Sequence, residues 1–147
     1  MHIKGLLHVN INCRDFERSR RFYELLGFEL LSPVPAEGRG SVALAVGFDH
    51  YRVKGALMKH PSRIVIDLLE WQEPPIPDRS VQPLNAIGIA RIALVTADIH
   101  ADIDSLKEAG VELVSDHPGE AEGPQGSPVR FICFKDPDGN TLELVQL

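Results

Sequence analysis

The 147-residue chain lacks the features typical of membrane-spanning, secreted and nucleic-acid-binding proteins. It has no apolar run of about 18 residues, the length that a membrane-spanning helix requires. Its formal net charge is −6 and it contains no continuous run of Lys and Arg, so neither a nucleic acid nor an anionic membrane is an expected partner. The N-terminus becomes polar too early for a signal peptide. We therefore expect a cytoplasmic protein whose partner is a small molecule or another protein.

Cysteine is also scarce, since only Cys13 and Cys133 occur, each within an apolar stretch. In a chain without a targeting signal, this pattern predicts reduced core residues rather than a disulfide. The HExxH, paired CxxC, P-loop, GxGxxG and GxSxG motifs are absent from the sequence. Zinc proteolysis, NTP hydrolysis and serine-hydrolase chemistry are therefore unsupported.

What the chain does contain is an internal repeat. Residues 8–32 align without a gap with residues 91–115, and the alignment places Asp15 on Asp98 and Gly27 on Gly110. In each copy a strand-like stretch leads into a helix whose N-cap is the aspartate, because its carboxylate accepts free backbone N–H groups. Each glycine suits the left-handed position that follows a helix. The repeat predicts one strand and one helix at the same place in both halves.

Three further strands are predicted in each half. They are FELLS, SVALAVG and RIVIDLLEW in the first half and VELVS, VRFICF and TLELVQL in the second. The predicted fold class is α+β, with two tandem βαβββ modules. Residues 1–72 form the first module, 73–87 a linker and 88–147 the second module.

Two segments are predicted to be irregular. The linker contains Pro74, Pro75, Pro77 and Pro83, which exclude a helix or a central strand. Residues 120–128 (EAEGPQGSP) are rich in Gly and Pro, and either an ordinary surface loop or a mobile lid fits this composition.

The alternation of side chains along strands places four ionisable residues at related positions in the repeat. His8 and Arg91 lie in the first strand of their halves, and Asp67 and Glu143 lie in the last. Apolar residues of the same strands point to the opposite face. Each half therefore contributes one first-strand residue and one carboxylate to a polar face.

At this point the sequence resembles the vicinal oxygen chelate superfamily, which includes glyoxalase I, methylmalonyl-CoA epimerase, extradiol dioxygenases, and fosfomycin- and bleomycin-resistance proteins. The resemblance rests on the paired modules, on HVNINCRDFERSRRFYELLGFELL and on FKDPDGNTLELVQL. It implies a curved, cup-like mixed sheet with helices outside and a divalent metal (Fe, Mn, Ni or Zn) on the concave side. The implied metal positions are His8, Asp67, Arg91 and Glu143.

Arg91 does not suit a metal site, because a guanidinium stays protonated and offers only N–H donors. The resemblance then leaves His8, Asp67 and Glu143 as metal ligands, and Glu143 and Arg91 as candidate catalytic residues. Three interpretations of Arg91 are open. It forms a bidentate ion pair with Glu143 or Asp67 in place of the metal, it binds an anionic substrate group beside a weaker metal site, or it is a surface residue.

Two classes of function fit the resemblance. One is a metal-dependent lyase, isomerase or dioxygenase that acts on a small oxygen-rich molecule. The other is a metal-free protein of the bleomycin-resistance type that sequesters a drug or metabolite. A homodimer is expected in either case. Glu70 is a candidate substitute carboxylate, and Tyr51, Trp71 and Phe131 are candidates either for a cavity lining or for core and dimer packing.

Overall fold

The computed structural model describes residues 2–77, 83–123 and 126–147. The chain divides into two compact units, Met1–Arg79 and Ser80–Leu147. Each unit contains one mixed β-sheet and a ten-residue helix, so the α+β class and the two modules are confirmed. In the described part of the chain, no helix is both long and apolar enough to cross a bilayer.

The sheet of the first unit has the strand order β1-β5-β4-β2, and β3 also pairs with β4. β1 runs parallel to β5, whereas β4 is antiparallel to β2, β3 and β5. β5 is therefore an inner strand. The elements are β1 (Val9–Asn12), α1 (Phe16–Leu25), β2 (Glu29–Pro33), β3 (Glu37–Arg39), α2 (Ser41–Leu44), β4 (His50–Lys59) and β5 (Val65–Glu73).

The sheet of the second unit has the order β6-β9-β8-β7, with β6 parallel to β9 and the other pairs antiparallel. Residues 112–114 also bond to β8, in the way that β2 bonds to β4. The elements are β6 (Ile92–Val95), α3 (Ile99–Glu108), β7 (Gly119–Glu122), β8 (Pro128–Lys135) and β9 (Thr141–Gln146).

The repeat extends to the register of the hydrogen bonds. Val9 pairs with Ile66 in the first unit, and Ile92 pairs with Leu142 in the second. These pairs are related by offsets of 83 for the first strand (92 minus 9) and 76 for the last (142 minus 66). Positions related by these offsets therefore occupy the same place in the two sheets.

The predicted helix ends are confirmed. Asp15 accepts a hydrogen bond from the backbone N–H of Arg18, and Asp98 accepts from those of His100 and Ala101. Gly27 (φ +86°) and Gly110 (φ +72°) follow the helices in the left-handed conformation, which suits a residue without a Cβ.

Each helix also receives a second acceptor from the last strand of its unit. The backbone N–H of Phe16 donates to Oε2 of Glu70 at 2.8 Å, and that of Ile99 donates to Oε1 of Gln146 at 3.0 Å. Glu70 and Gln146 are related by the offset of 76. Glu70 therefore holds α1, on the sheet face opposite to Asp67, and its interpretation as a substitute carboxylate is wrong.

The interpretation of SVALAVG as a strand is also wrong. Ser41–Leu44 forms the short helix α2, and the strand that occupies this place in the module is β4, His50–Lys59. Gly40 (φ +56°) turns the chain before α2, and alanine and leucine favour a helix after that turn. Lys54 and Gly55 interrupt the apolar character of β4, so its sequence gives a weak strand signal.

Parts of the two segments that were predicted to be irregular, residues 73–87 and 120–128, form strands. Residues 119–122 form β7 and pair with β8, so the loop interpretation of residues 120–122 is wrong. Residues 124 and 125 lie outside the described residues. At the linker, β5 continues to Glu73, and residues 78–82 lie outside the described part of the chain.

Each unit packs its long helix against one face of its sheet. In α3, Ile99, Ile103 and Leu106 are buried. In α1, Phe16, Phe22 and Tyr23 supply the buried apolar side chains, whereas Leu25 is 48% exposed. The sheet side chains of this core are Ala56, Met58, Ile66 and Leu68 in the first unit and Ile132, Phe134, Leu142 and Leu144 in the second. The cysteines are not in a disulfide, as expected: Cys13 is buried and Cys133 half-buried.

Candidate functional site

The face of the first sheet that is opposite to α1 carries the polar residues of β1. His8 precedes β1 and lies on the face opposite to the buried Ile11. On β5, Asp67 lies on the face opposite to the buried Ile66 and Leu68. His8 Nε2 lies 3.9 Å from Asp67 Oδ2. The structure therefore brings these two predicted site residues together within one unit.

The His8 and Asp67 side chains retain unused polar atoms. Within the described residues, His8 Nδ1 and Asp67 Oδ1 are buried and have no hydrogen-bond partner. Burial raises the pKa of the Asp67 carboxyl above its ordinary value, although His8 and the Asn10 amide act in the opposite direction. Burying a polar atom without a hydrogen-bond partner lowers the stability of the protein. A ligand that bonds to either atom would remove this cost, so both atoms are suited to contact a ligand.

The corresponding face of the second sheet carries an ion pair. Arg91 Nε donates to Glu143 Oε2 at 3.1 Å; the Glu143 side chain is 8% exposed and that of Arg91 is 47% exposed. Arg91 therefore pairs with Glu143, as in the first interpretation, but through one hydrogen bond and not in the bidentate geometry expected. Because a guanidinium has five N–H donors and this bond uses one, the exposed side of Arg91 keeps donors for an anion.

Cys133 lies opposite Glu143 in the β8–β9 register. Burial raises the pKa of the Cys133 thiol, and the charge of Glu143 raises it further, while Arg91 and Lys135 act in the opposite direction. The Cys133 thiol therefore stays protonated near neutral pH.

An aromatic cluster occupies the same face of the first sheet as Asp67. The Trp71 ring centroid lies 5.1 Å from that of Phe48 and 5.5 Å from that of Tyr51, with tilted planes. Trp71 Nε1 donates to Asn12 Oδ1 at 2.9 Å. The sequence pattern singled out Tyr51 and Trp71, but Phe48 and the bond to Asn12 were missed because they depend on contacts distant along the chain.

A family model describing the glyoxalase/bleomycin resistance protein/dioxygenase superfamily matches residues 5–144. The chain belongs to this superfamily. The relatives include the uncharacterized protein YwkD of Bacillus subtilis, which is 29% identical and aligned over 99% of both chains. The uncharacterized protein YaeR of Escherichia coli is 31% identical over 98% of this chain and 97% of its own.

Solved structures of other proteins share the fold of this chain. A glyoxalase family protein from Bacillus cereus has a TM-score of 0.80 at 24% identity, and the match covers 99% of this chain and 97% of that one. TnmS3, an antibiotic binding protein from Streptomyces sp. CB03234, has a TM-score of 0.61 at 25% identity, with 99% and 98% of the two chains covered.

For a member of this superfamily, the residues present are a poor fit to a metal site. His8 and Asp67 offer suitable donor atoms, but Arg91 brings a permanent positive charge and is bonded to the carboxylate of Glu143. Among the residues that the structure describes, no group of three or more His, Cys, Asp or Glu side chains is placed to hold a metal ion. The chemistry of Arg91 therefore disagrees with the four-ligand set that the resemblance implies.

Proposed function

We propose that this protein binds a small oxygen-rich anion without a resident metal, as a drug- or metabolite-sequestering member of the superfamily. The observation that carries the proposal is the Arg91–Glu143 ion pair at a position where the resemblance implies a metal ligand. Glu143 fixes the guanidinium through one bond, and the remaining donors suit a carboxylate, a phosphate or an enolate.

The first unit supplies a second set of polar contacts in this proposal. His8 Nδ1 and Asp67 Oδ1, both buried without a partner among the described residues, would bond to polar atoms of the ligand. The resemblance implies that residues of both modules contact one ligand, and we propose the same for this protein. The likeness to TnmS3, an antibiotic binding protein, supports a binding function.

The test is calorimetric titration of the protein with oxalate in the presence of EDTA. We expect oxalate to bind without a divalent metal, and Arg91→Met to weaken binding at least tenfold. Arg130→Met is the matched control, because Arg130 Nε also donates to a glutamate, Glu120, at 3.0 Å on the same sheet. This control should bind oxalate like the parent. Binding that appears only after Mn²⁺ is added, or that survives Arg91→Met, would contradict the proposal.

A metal-dependent lyase, isomerase or dioxygenase is the second candidate. The observation that favours it is the pair of buried, unpartnered atoms on His8 and Asp67, noted above within the described residues. In this alternative His8, Asp67 and Glu143 hold a divalent ion, and Arg91 leaves Glu143 to stabilise negative charge on the substrate. The two candidates differ in whether the parent protein binds a stoichiometric divalent ion.

We also propose that the protein is a cytoplasmic homodimer. The resemblance supports the dimer, and so do the large apolar side chains before β1: Ile3, Leu6 and Leu7 are 77%, 85% and 79% exposed.

A further inference from the structure

Among the described residues of the second unit, no aromatic cluster corresponds to that of the first unit. The positions related to Asn12 and Trp71 by the offsets of 83 and 76 carry Val95 and Leu147. The β6–β9 pair nevertheless keeps the register of the β1–β5 pair. The module therefore folds without an indole at this place, and the fold alone does not account for Trp71.

Trp71 is held in a fixed orientation on an inner strand. β5 is an inner strand of the sheet, and Trp71 lies opposite Val53 of β4, two residues beyond Leu69, the last residue of β5 that pairs with β1. The bond from its Nε1 to Asn12 restrains the indole, and Phe48 and Tyr51 support it. All three rings remain half-buried, whereas the sheet residues that pack against α1 are buried. An oriented ring that keeps accessible area can stack on a planar ligand.

We infer that the ligand carries a planar, fused aromatic ring system, which stacks on the cluster formed by Phe48, Tyr51 and Trp71. Trp71 and Asp67 lie on the same face of β5, four residues or roughly 13 Å apart along the strand. A single ring covers less of this distance than a fused ring system, which can stack on the cluster and extend along the same face toward Asp67. The inference rests on the proposed function, since it states the chemical class of the anionic ligand that the protein is proposed to bind.

The test compares naphthalene-2-carboxylate with decahydronaphthalene-2-carboxylate, which has the same charge and carbon skeleton but no aromatic ring. Affinities are measured by calorimetry. Because Trp71 is the only tryptophan, its emission also reports whether the probe contacts the cluster. We expect the parent to bind the aromatic probe at least tenfold more tightly than the saturated one, with a change in Trp71 emission.

Variants assign the preference to the cluster. Trp71→Leu, which introduces the residue type of the second module, should reduce the preference to less than twofold, and Trp71→Phe should retain part of it. Asn12→Ala should reduce it about threefold, because Asn12 orients the indole without itself stacking. Leu25→Ala, on the exposed side of α1, is the control and should keep the parent ratio. Circular dichroism confirms that each variant is folded.

Equal affinity for the two probes, a preference that persists in Trp71→Leu, or no binding of either probe at millimolar concentration would overturn the inference. The same measurements test the proposed function separately. Arg91→Met should lower the affinity for both probes by the same factor and leave the ratio of the two affinities unchanged. If Arg91→Met leaves both affinities unchanged while the parent still prefers the aromatic probe tenfold, only the proposed role of Arg91 is contradicted.

Discussion

At the residue scale, the two polar pairs differ in how their buried charge is compensated. Glu143 is buried but has the guanidinium of Arg91 at 3.1 Å, whereas Asp67 has His8 only at 3.9 Å. A carboxylate that is buried loses its hydration, and without an ion-pair partner no favourable interaction compensates for this loss. Arg91 therefore has a structural role in addition to its proposed contact with the ligand.

We expect Arg91→Leu to lower the free energy of unfolding by about 1–2 kcal/mol, because it leaves the Glu143 carboxylate buried without its partner. The exposure of Arg91 keeps the cost below that of a fully buried pair. Urea denaturation measures this change. Arg130→Leu, which breaks the exposed pair with Glu120, should cost less than about 0.5 kcal/mol. Equal losses in the two variants would contradict this account.

The sequence supports the pairing at this scale only in part. The repeat places Arg91 and Glu143 at first-strand and last-strand positions, which makes an ion pair one of the available interpretations. Which pair forms depends on the parallel register of β6 and β9. The Asn12–Trp71 bond joins residues 59 positions apart, and no local pattern indicates such a contact.

At the element scale, the last strand of each unit holds the N-terminus of the long helix. Glu70 and Gln146 accept the first helical N–H groups, in addition to the aspartate N-caps. One side chain is charged and the other neutral, so the hydrogen bond is the feature that the modules share. It ties each helix to the sheet that carries the polar face.

We expect Glu70→Ala and Gln146→Ala each to destabilise the protein by about 1 kcal/mol, because each leaves a helical N–H without its acceptor. Glu70→Gln should lose less than Glu70→Ala, since an amide oxygen accepts the bond equally well in the second unit. Urea denaturation of the three variants measures the differences. A loss in Glu70→Gln as large as in Glu70→Ala would show that charge, and not the hydrogen bond, is what matters.

The two long helices were predictable because specific residues mark where each begins and ends. Aspartate before a helix and glycine after it have local physical roles, so α1 and α3 follow from the sequence. SVALAVG was misassigned because a short apolar run predicts a strand and a short helix equally well, and α2 leaves most of this run exposed. β4 was missed because its polar residues and Gly55 weaken the alternating pattern.

At the scale of the whole molecule, the internal repeat explains why the fold was predictable from one sequence. The aspartate before the helix and the glycine after it occur in both modules, and the family model agrees with the two-module fold that the repeat indicates. The ligand is less predictable, because this fold serves several unrelated reactions. The resemblance implies His8, Asp67 and Glu143 as metal ligands, and Arg91 is the residue that separates the two candidate functions.

The most direct test of the central claim is the number of Mn²⁺ ions bound per chain, from electron paramagnetic resonance of the free ion. Three proteins are compared: the parent, Arg91→His, and Arg130→His as the control for an added imidazole. We expect no stoichiometric binding by the parent or the control, and one ion per chain in Arg91→His, where a neutral ligand replaces the cation and Glu143 is released. One ion bound by the parent and lost in His8→Ala would contradict the account and support the metal-dependent enzyme.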